Sequence, residues 1–403
     1  MQSLSFARRA AHLSSTMPAP AHADRISFDS GHAFPGVLPD LTGEAENALS
    51  RFRPETLQYA PRAGLPELRQ WISEYLATDG AHVSADNVLV TNGAKHAIEL
   101  VCRALVDEGD SVVVTSPTYF SAIPIIRSFG AQFLEIPQDH DGMDVAALDD
   151  LLQQLSRDRR PLPRFIYNIS DFHNPTGATM PLARRQALLD LAVRHRIPVI
   201  DDSPYRSVRF EGEPVPTLKA LDQDDIVVHL GTFSKLLAPG LRVGWAAGAT
   251  PLLARMAQLK SDAGSCPLTQ RVVVEFCTAG RLARHTIRVQ DTYRSHRDRM
   301  VAAVHRELPD VTFRAPSGGY YLWLTLPAEI DGEELTQRAG EAGVTIIAGT
   351  KFFARSDIEQ PRNHVRVAFS HASIEEIDEG VRRLACAYHS LADGAVATAK
   401  TAR

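Results

Sequence analysis

Between residues 88 and 247 the chain alternates short apolar runs with amphipathic stretches. Val88–Thr91 is followed by Lys95–Leu105, where Ile98, Val101, Cys102 and Leu105 recur at helical spacing. Ser111–Thr115, Ile123–Phe129, Gln132–Ile136 and Arg164–Asn168 continue the series. An amphipathic helix over Leu182–Arg194 then precedes a buried strand at Ile197–Asp201, and Ile226–Leu230 and Val243–Ala247 close it. Alternation of this kind predicts an α/β fold with a mostly parallel sheet covered on both faces. Ligands in such sheets sit beyond the carboxyl ends of the strands, so chemistry is sought in the residues just after each run.

After about residue 285 the texture changes. Arg288–Leu308 reads as a long charged helix, Tyr320–Leu326 and His364–Ala368 as strands, and Ile374–Tyr388 as a closing amphipathic helix. The expected organisation is a large domain over 51–284 and a smaller α+β domain from 26–50 and 285–390. A flexible leader over 1–25 and a flexible tail over 391–403 flank them. The leader carries Arg8 and Arg9 and no acid before Asp24, superficially like a transit peptide, but lacks sustained amphipathic periodicity.

Composition narrows the function. With 403 residues the chain can bury a large core unaided. The net charge of −5 does not suggest a polyanion-binding surface. Cys102, Cys266, Cys277 and Cys386 lie far apart with no CxxC pair, which argues against a disulfide framework or a zinc site and fits a reducing, cytoplasmic setting. No apolar run is long enough to span a membrane. Only six of the 43 basic residues are lysines, so each lysine warrants inspection.

Four runs end in polar clusters. Gly231-Thr232-Phe233-Ser234-Lys235 places a lysine directly after a buried strand, with hydroxyls and Arg242 nearby. An ammonium is costly to bury, and a lysine held neutral can form a Schiff base with an aldehyde. Val199-Ile200-Asp201-Asp202-Ser203-Pro204-Tyr205 offers an acid with a tyrosine three residues on. A carboxylate can keep a pyridine ring nitrogen protonated while a phenol donates to the ring oxygen, and the spacing selects Asp202. His173-Asn174-Pro175-Thr176-Gly177 is a turn whose Asn amide can serve a ring oxygen or a carboxylate. Thr91-Asn92-Gly93-Ala94-Lys95 opens a helix with small residues, so backbone N–H groups can approach a phosphate, and it is not a Walker loop.

These motifs, in this order, resemble the fold-type-I pyridoxal-phosphate enzymes of the class I/II aminotransferases. Within that group the chain is most similar to the 2-aminoadipate aminotransferase-like branch. Ile26–Pro39, Tyr59–Arg69, Asn92–Leu100, Ser116–Tyr119, His173–Arg185, Ile200–Phe210, Gly231–Trp245, Pro267–Phe276, Gly318–Pro327 and His364–Ser373 carry the match over roughly residues 26–385. The resemblance implies a seven-stranded, mostly parallel sheet sandwiched by helices, pyridoxal 5'-phosphate as cofactor, an α-amino acid and a 2-oxo acid as substrates, and a homodimer with shared active sites. It implies that Lys235 holds the cofactor through its amine and then shuttles a proton. Asp202 would pair with the pyridinium, Tyr205 and Asn174 with the ring oxygen, and Tyr119 would stack on the ring. Gly93, Ala94, Lys95, Thr232, Ser234 and Arg242 would bind the phosphate, joined by Tyr59 of the neighbouring subunit. Arg366 would clamp the substrate α-carboxylate, with Asn174 beside it, and Gly31 would let substrate pass close to backbone.

Three positions depart from the branch. His32 stands where an apolar residue is commoner, with Asp29 just before it; Asp171 replaces a proline; Ala348-Gly349 replaces Pro-Gly. These departures bear on substrate identity. An acidic, His-bearing pocket would suit a cationic side chain, as in similar-looking natural-product enzymes that oxidise, hydroxylate or cyclise arginine. A more distant alternative is a regulator in which this fold follows a winged-helix domain. Only about 25 residues precede the ISFDSG motif here, fewer than the roughly 60 such a domain needs.

Overall fold

A computed structural model describes residues 6–7 and 25–401 of the chain, with side chains through residue 392. The expected leader lies almost wholly outside the described residues. Among these, the strands in chain order are β1 (Ile26–Ser27), β2 (Val88–Thr91), β3 (Ser111–Ser116), β4 (Gln132–Asp139), β5 (Gly142–Met143), β6 (Ile166–Asn168) and β7 (Val199–Asp202). There follow β8 (Val227–Thr232), β9 (Gly244–Ala247), β10 (Tyr321–Thr325), β11 (Val344–Thr345), β12 (Ile347–Ala348) and β13 (His364–Ala368).

The central sheet has the order β2-β9-β8-β7-β6-β3-β4-β5. Strands β8, β7, β6, β3 and β4 run parallel, and β9 is antiparallel to both of its neighbours. β2 therefore points the same way as β8, and the carboxyl ends of β2, β3, β6, β7 and β8 share one edge. The seven strands implied by the resemblance are joined by an eighth, β5. It exists because a two-residue turn ending at Gly142, at φ 86°, folds the chain straight back onto β4. β2, β7 and β8 are buried along their whole length, as strands covered by helices on both faces must be.

The smaller lobe is an antiparallel sheet, β10-β13-β12, packed against helices Arg281–Glu307, Gly332–Glu341 and Ile374–Thr401. The first of these helices buries Leu282, Val289, Tyr293, Met300 and Val304 along one stripe. It starts at residue 281, earlier than its apolar spacing indicated, because Gly280 in the left-handed region starts it. The last helix runs across the boundary expected at residue 390. β1 pairs in parallel with β11, Ile26 opposite Val344, which ties the N-terminal segment into this lobe. Phe28 and Val37 share its apolar core. The segment Asp29–His32 is thereby held against the edge where the central strands end.

Candidate active site

A cleft of about 570 Å³ lies at that edge. The large domain contributes Ala94, Lys95, Tyr119, Asn174, Asp202, Tyr205, Thr232, Ser234, Lys235 and Arg242. The N-terminal segment adds Gly31 and His32, and β13 adds Arg366. Residues from eight separate stretches of sequence thus meet in one place. Gly93 stands just behind the wall, and Tyr59 lies outside its own chain's cleft with 80% of its surface exposed.

One end of the cleft is cationic. Gly93, at φ 82°, opens helix Ala94–Leu105, and a Cβ there would sit 2.6 Å from Arg242 Nη2. Arg242 donates to Ser234 Oγ (3.3 Å) and to the Asn92 carbonyl (3.2 Å). Thr232 Oγ1 donates to Ser234 Oγ at 2.9 Å and accepts from the Ser234 N–H. Burial, and then Arg242, hold the Lys95 amine below its usual range. Two cations with no carboxylate partner among the described residues, two hydroxyls and a helix N-terminus form the donor set a phosphate dianion requires.

The middle of the cleft holds an unmatched acid. Asp202 Oδ2 accepts from Tyr167 Oη at 2.6 Å, whereas Oδ1 is buried without a partner. Burial pushes this carboxyl up to about 6, against the pull of Tyr167 and His229. A protonated ring nitrogen would supply the missing donor and charge, so the site fits pyridoxal phosphate. Strand alternation sends Asp201 to the other face, where it accepts from Ser170 Oγ at 2.7 Å. Tyr205 Oη meets Tyr321 Oη at 2.9 Å. Asn174 presents a buried, unpartnered Nδ2.

Lys235 Nζ donates to the Gly31 carbonyl at 2.5 Å and lies 5.0 Å from the centre of the Tyr320 ring. Burial lowers its pKa to about 8, with Arg366, Arg242 and Lys95 adding repulsion. A Cβ on Gly31 would fall 2.1 Å from Tyr321 Oη, so this close approach needs glycine.

Arg366 is 1% exposed and has no carboxylate partner among the described residues. It donates to Asn174 Oδ1 at 3.0 Å and to the Asp29 carbonyl, while its Nε is unpartnered. Phe120, Tyr321 and Phe352 surround the guanidinium, with Tyr321 at 4.1 Å. His32 lies at the rim, its ring 5.8 Å from that of His371. Burial, His371 and Lys235 hold it below its ordinary range, outweighing Asp29.

Sequence reasoning missed Tyr167, Phe120, Tyr321 and Phe352. Only Tyr320-Tyr321 left a signal, an aromatic pair just after Gly318-Gly319. The departure at Asp171 lies outside the cleft and cannot touch substrate. Its buried carboxylate is bound by Arg185, Arg206 and Arg209. Burial alone would raise it, but these arginines hold it below the usual carboxylate range. Ala348 is paired with Val365 in β12, and Gly349 packs against His364, whose Cβ would be 2.6 Å from an added Cβ.

Residues 28–384 match the family model for aminotransferase class I and II. The chain is 34% identical to the 2-aminoadipate transaminase of Thermus thermophilus, over 91% of this chain and 90% of that protein. It is 33% identical to aromatic-amino-acid aminotransferase 1 of Thermococcus litoralis, over 90% and 88% of the two chains. Among solved structures, the kynurenine aminotransferase of Pyrococcus horikoshii superposes with a TM-score of 0.89 at 31% identity, covering 96% of this chain and 97% of that one.

Proposed function

The chain belongs to the class I and II aminotransferases, and from that premise we propose which residues carry the reaction and which amino acids it takes. It is a pyridoxal-phosphate-dependent enzyme that moves an amino group between an α-amino acid and a 2-oxo acid. When bound, the cofactor supplies an electron-withdrawing ring conjugated to the substrate nitrogen.

The observation that carries the residue assignment is the buried Arg366, whose Nε has no partner and which has no carboxylate beside it among the described residues. Its fork binds the α-carboxylate in two parallel hydrogen bonds, and Asn174 fixes its orientation. Lys235, with its pKa lowered to about 8, offers a free amine to a fraction of molecules near neutral pH, takes the proton from the substrate Cα and delivers it one step further along. The Gly31 carbonyl steadies the ammonium so formed. Asp202 holds the ring nitrogen proton. Tyr205 and Asn174 hold the ring oxygen, and Tyr119 covers the ring face. Gly93, Ala94, Lys95, Thr232, Ser234 and Arg242 anchor the phosphate. Tyr59, exposed beside Leu57, serves the phosphate of a partner subunit, which makes the working unit a homodimer. The cysteine spacing supports a reducing compartment, the cytoplasm.

Substrate side chains of large, uncharged type fit best. The rim beyond Arg366 carries Phe120, Ile347 and His32, whose pKa is held below its ordinary range by burial first and then by His371 and Lys235. Asp29, the carboxylate beside His32, accepts from Ser27 Oγ at 2.7 Å. This reading differs from the cationic side chain expected from Asp29 and His32 alone. Steady-state assays with phenylalanine and arginine decide it. The expected kcat/KM favours phenylalanine by about tenfold or more; parity, or an arginine preference lost in Asp29→Ala, would return the cationic reading.

A further inference from the structure

The turns that carry Asn174 and Tyr205 leave adjacent strands, β6 and β7, and diverge from there. The backbone register between the two strands ends at Asn168 opposite Asp201, so the sheet itself does not set the spacing of the turns. Ser170 Oγ ties the strand ends together through Asp201, and beyond that point Asp171 bridges the two turns. Asp171, three residues before Asn174, accepts from Arg206 (3.2 Å), adjacent to Tyr205, and from Arg209 (3.2 Å) on the same turn. Behind it, Arg185 donates to both of its carboxylate oxygens, at 2.8 and 3.3 Å. Arg209 also lies 4.7 Å above the Phe172 ring. Phe172, at φ 51°, fills the space against Gly318 and Gly319, which lead into Tyr321, the hydrogen-bond partner of Tyr205.

We infer that Asp171 is a positioning residue: it fixes the separation of the Asn174 amide and the Tyr205 hydroxyl, and through them tunes the oxygen of the bound ring. This rests on the roles proposed above for Asn174 and Tyr205. Arg206 has a second anchor, Asp79, at 2.6 and 2.9 Å, which holds the Tyr205 turn but makes no contact with the Asn174 turn. Asp79 is therefore the control, a half-buried ion pair that joins Arg206 to a helix end without bridging the two turns.

The test uses the cofactor-loaded enzyme and records the pH midpoint of the cofactor's visible band, the rate of cofactor loss on dilution and the melting temperature. Asp171→Asn is expected to move the midpoint by about half a pH unit and to speed cofactor loss about tenfold. Asp171→Glu should restore part of both. Asp79→Asn should lower the melting temperature while leaving the midpoint in place. Arg209→Gln, a milder cut of the same bridge, gives the same readout should Asp171→Asn not fold, and its midpoint should move in the same direction. A lowered melting temperature with an unmoved midpoint in both Asp171→Asn and Arg209→Gln would overturn the inference, as would an equal shift in Asp79→Asn. Asn174→Ala and Tyr205→Phe separate the two layers: if neither moves the midpoint, the proposed roles fail first; if both do and Asp171→Asn does not, only the positioning role fails.

Discussion

Arg185 and Arg366 are almost completely sealed from water, and they are treated in opposite ways. Arg185 is 0% exposed and every N–H of its guanidinium is used. Nε donates to the Met180 carbonyl, and the other nitrogens donate to the Ser170 and Pro216 carbonyls and to both oxygens of Asp171. Arg366 is 1% exposed, donates only to neutral oxygens and leaves Nε unmatched. Burying a charge without a partner costs several kcal/mol, so folding alone would not favour Arg366 where it is. The difference separates structure from function within one buried polar layer: the region around Asp171 is complete in itself, and the cleft is complete only with ligands. Asp202 Oδ1 and Asn174 Nδ2 make the same point at neighbouring positions.

The comparison can be broken by substitution, and the largest effect belongs to the cleft. Lys235→Ala should lower kcat by about 10⁴-fold or more while leaving the melting temperature of the cofactor-free chain unchanged or raised, because the variant removes an amine that burial disfavours. A stopped-flow single-turnover assay with one amino acid measures the loss. On the other side, Arg185→Ala should destabilise the fold by about 3–5 kcal/mol, since it takes from the buried Asp171 its two-pronged partner and from the Met180, Ser170 and Pro216 carbonyls their donor. Urea unfolding checks this, and activity per folded molecule should fall far less than stability. A smaller, pH-dependent effect sharpens the contrast. Asp202 holds its proton to about 6 in the folded chain against an ordinary 3.8 when unfolded. The stability carried by that proton is present below about pH 4 and lost as pH rises through 6. Melts of cofactor-free protein between pH 4.5 and 7 should therefore show a decline that Asp202→Asn flattens, and bound cofactor should remove it too.

Much of this was legible because the cleft is built from strand ends. Each cluster after β2, β6, β7 and β8 is local, and its residue types announce their chemistry within a few positions. The alternation along β7 separates Asp201 from Asp202 without any tertiary information. The rest was hidden because it is long-range. Asp171 reads as an odd residue before a turn until Arg185, Arg206 and Arg209 are brought to it from 14, 35 and 38 positions away. In a chain this rich in arginine, no spacing distinguishes those three from the others. The aromatic enclosure of Arg366 likewise assembles Phe120, Tyr321 and Phe352 from three elements, and each of them alone reads as core.

The most direct test replaces each arginine with methionine, which keeps length and removes charge, and measures unfolding of the two cofactor-free, substrate-free variants side by side. Arg185→Met should lose about 3–5 kcal/mol, whereas Arg366→Met should be as stable as the parent chain or more so. Equal destabilisation of the two would contradict the account, because Arg366 would then be held by the fold and not reserved for the substrate.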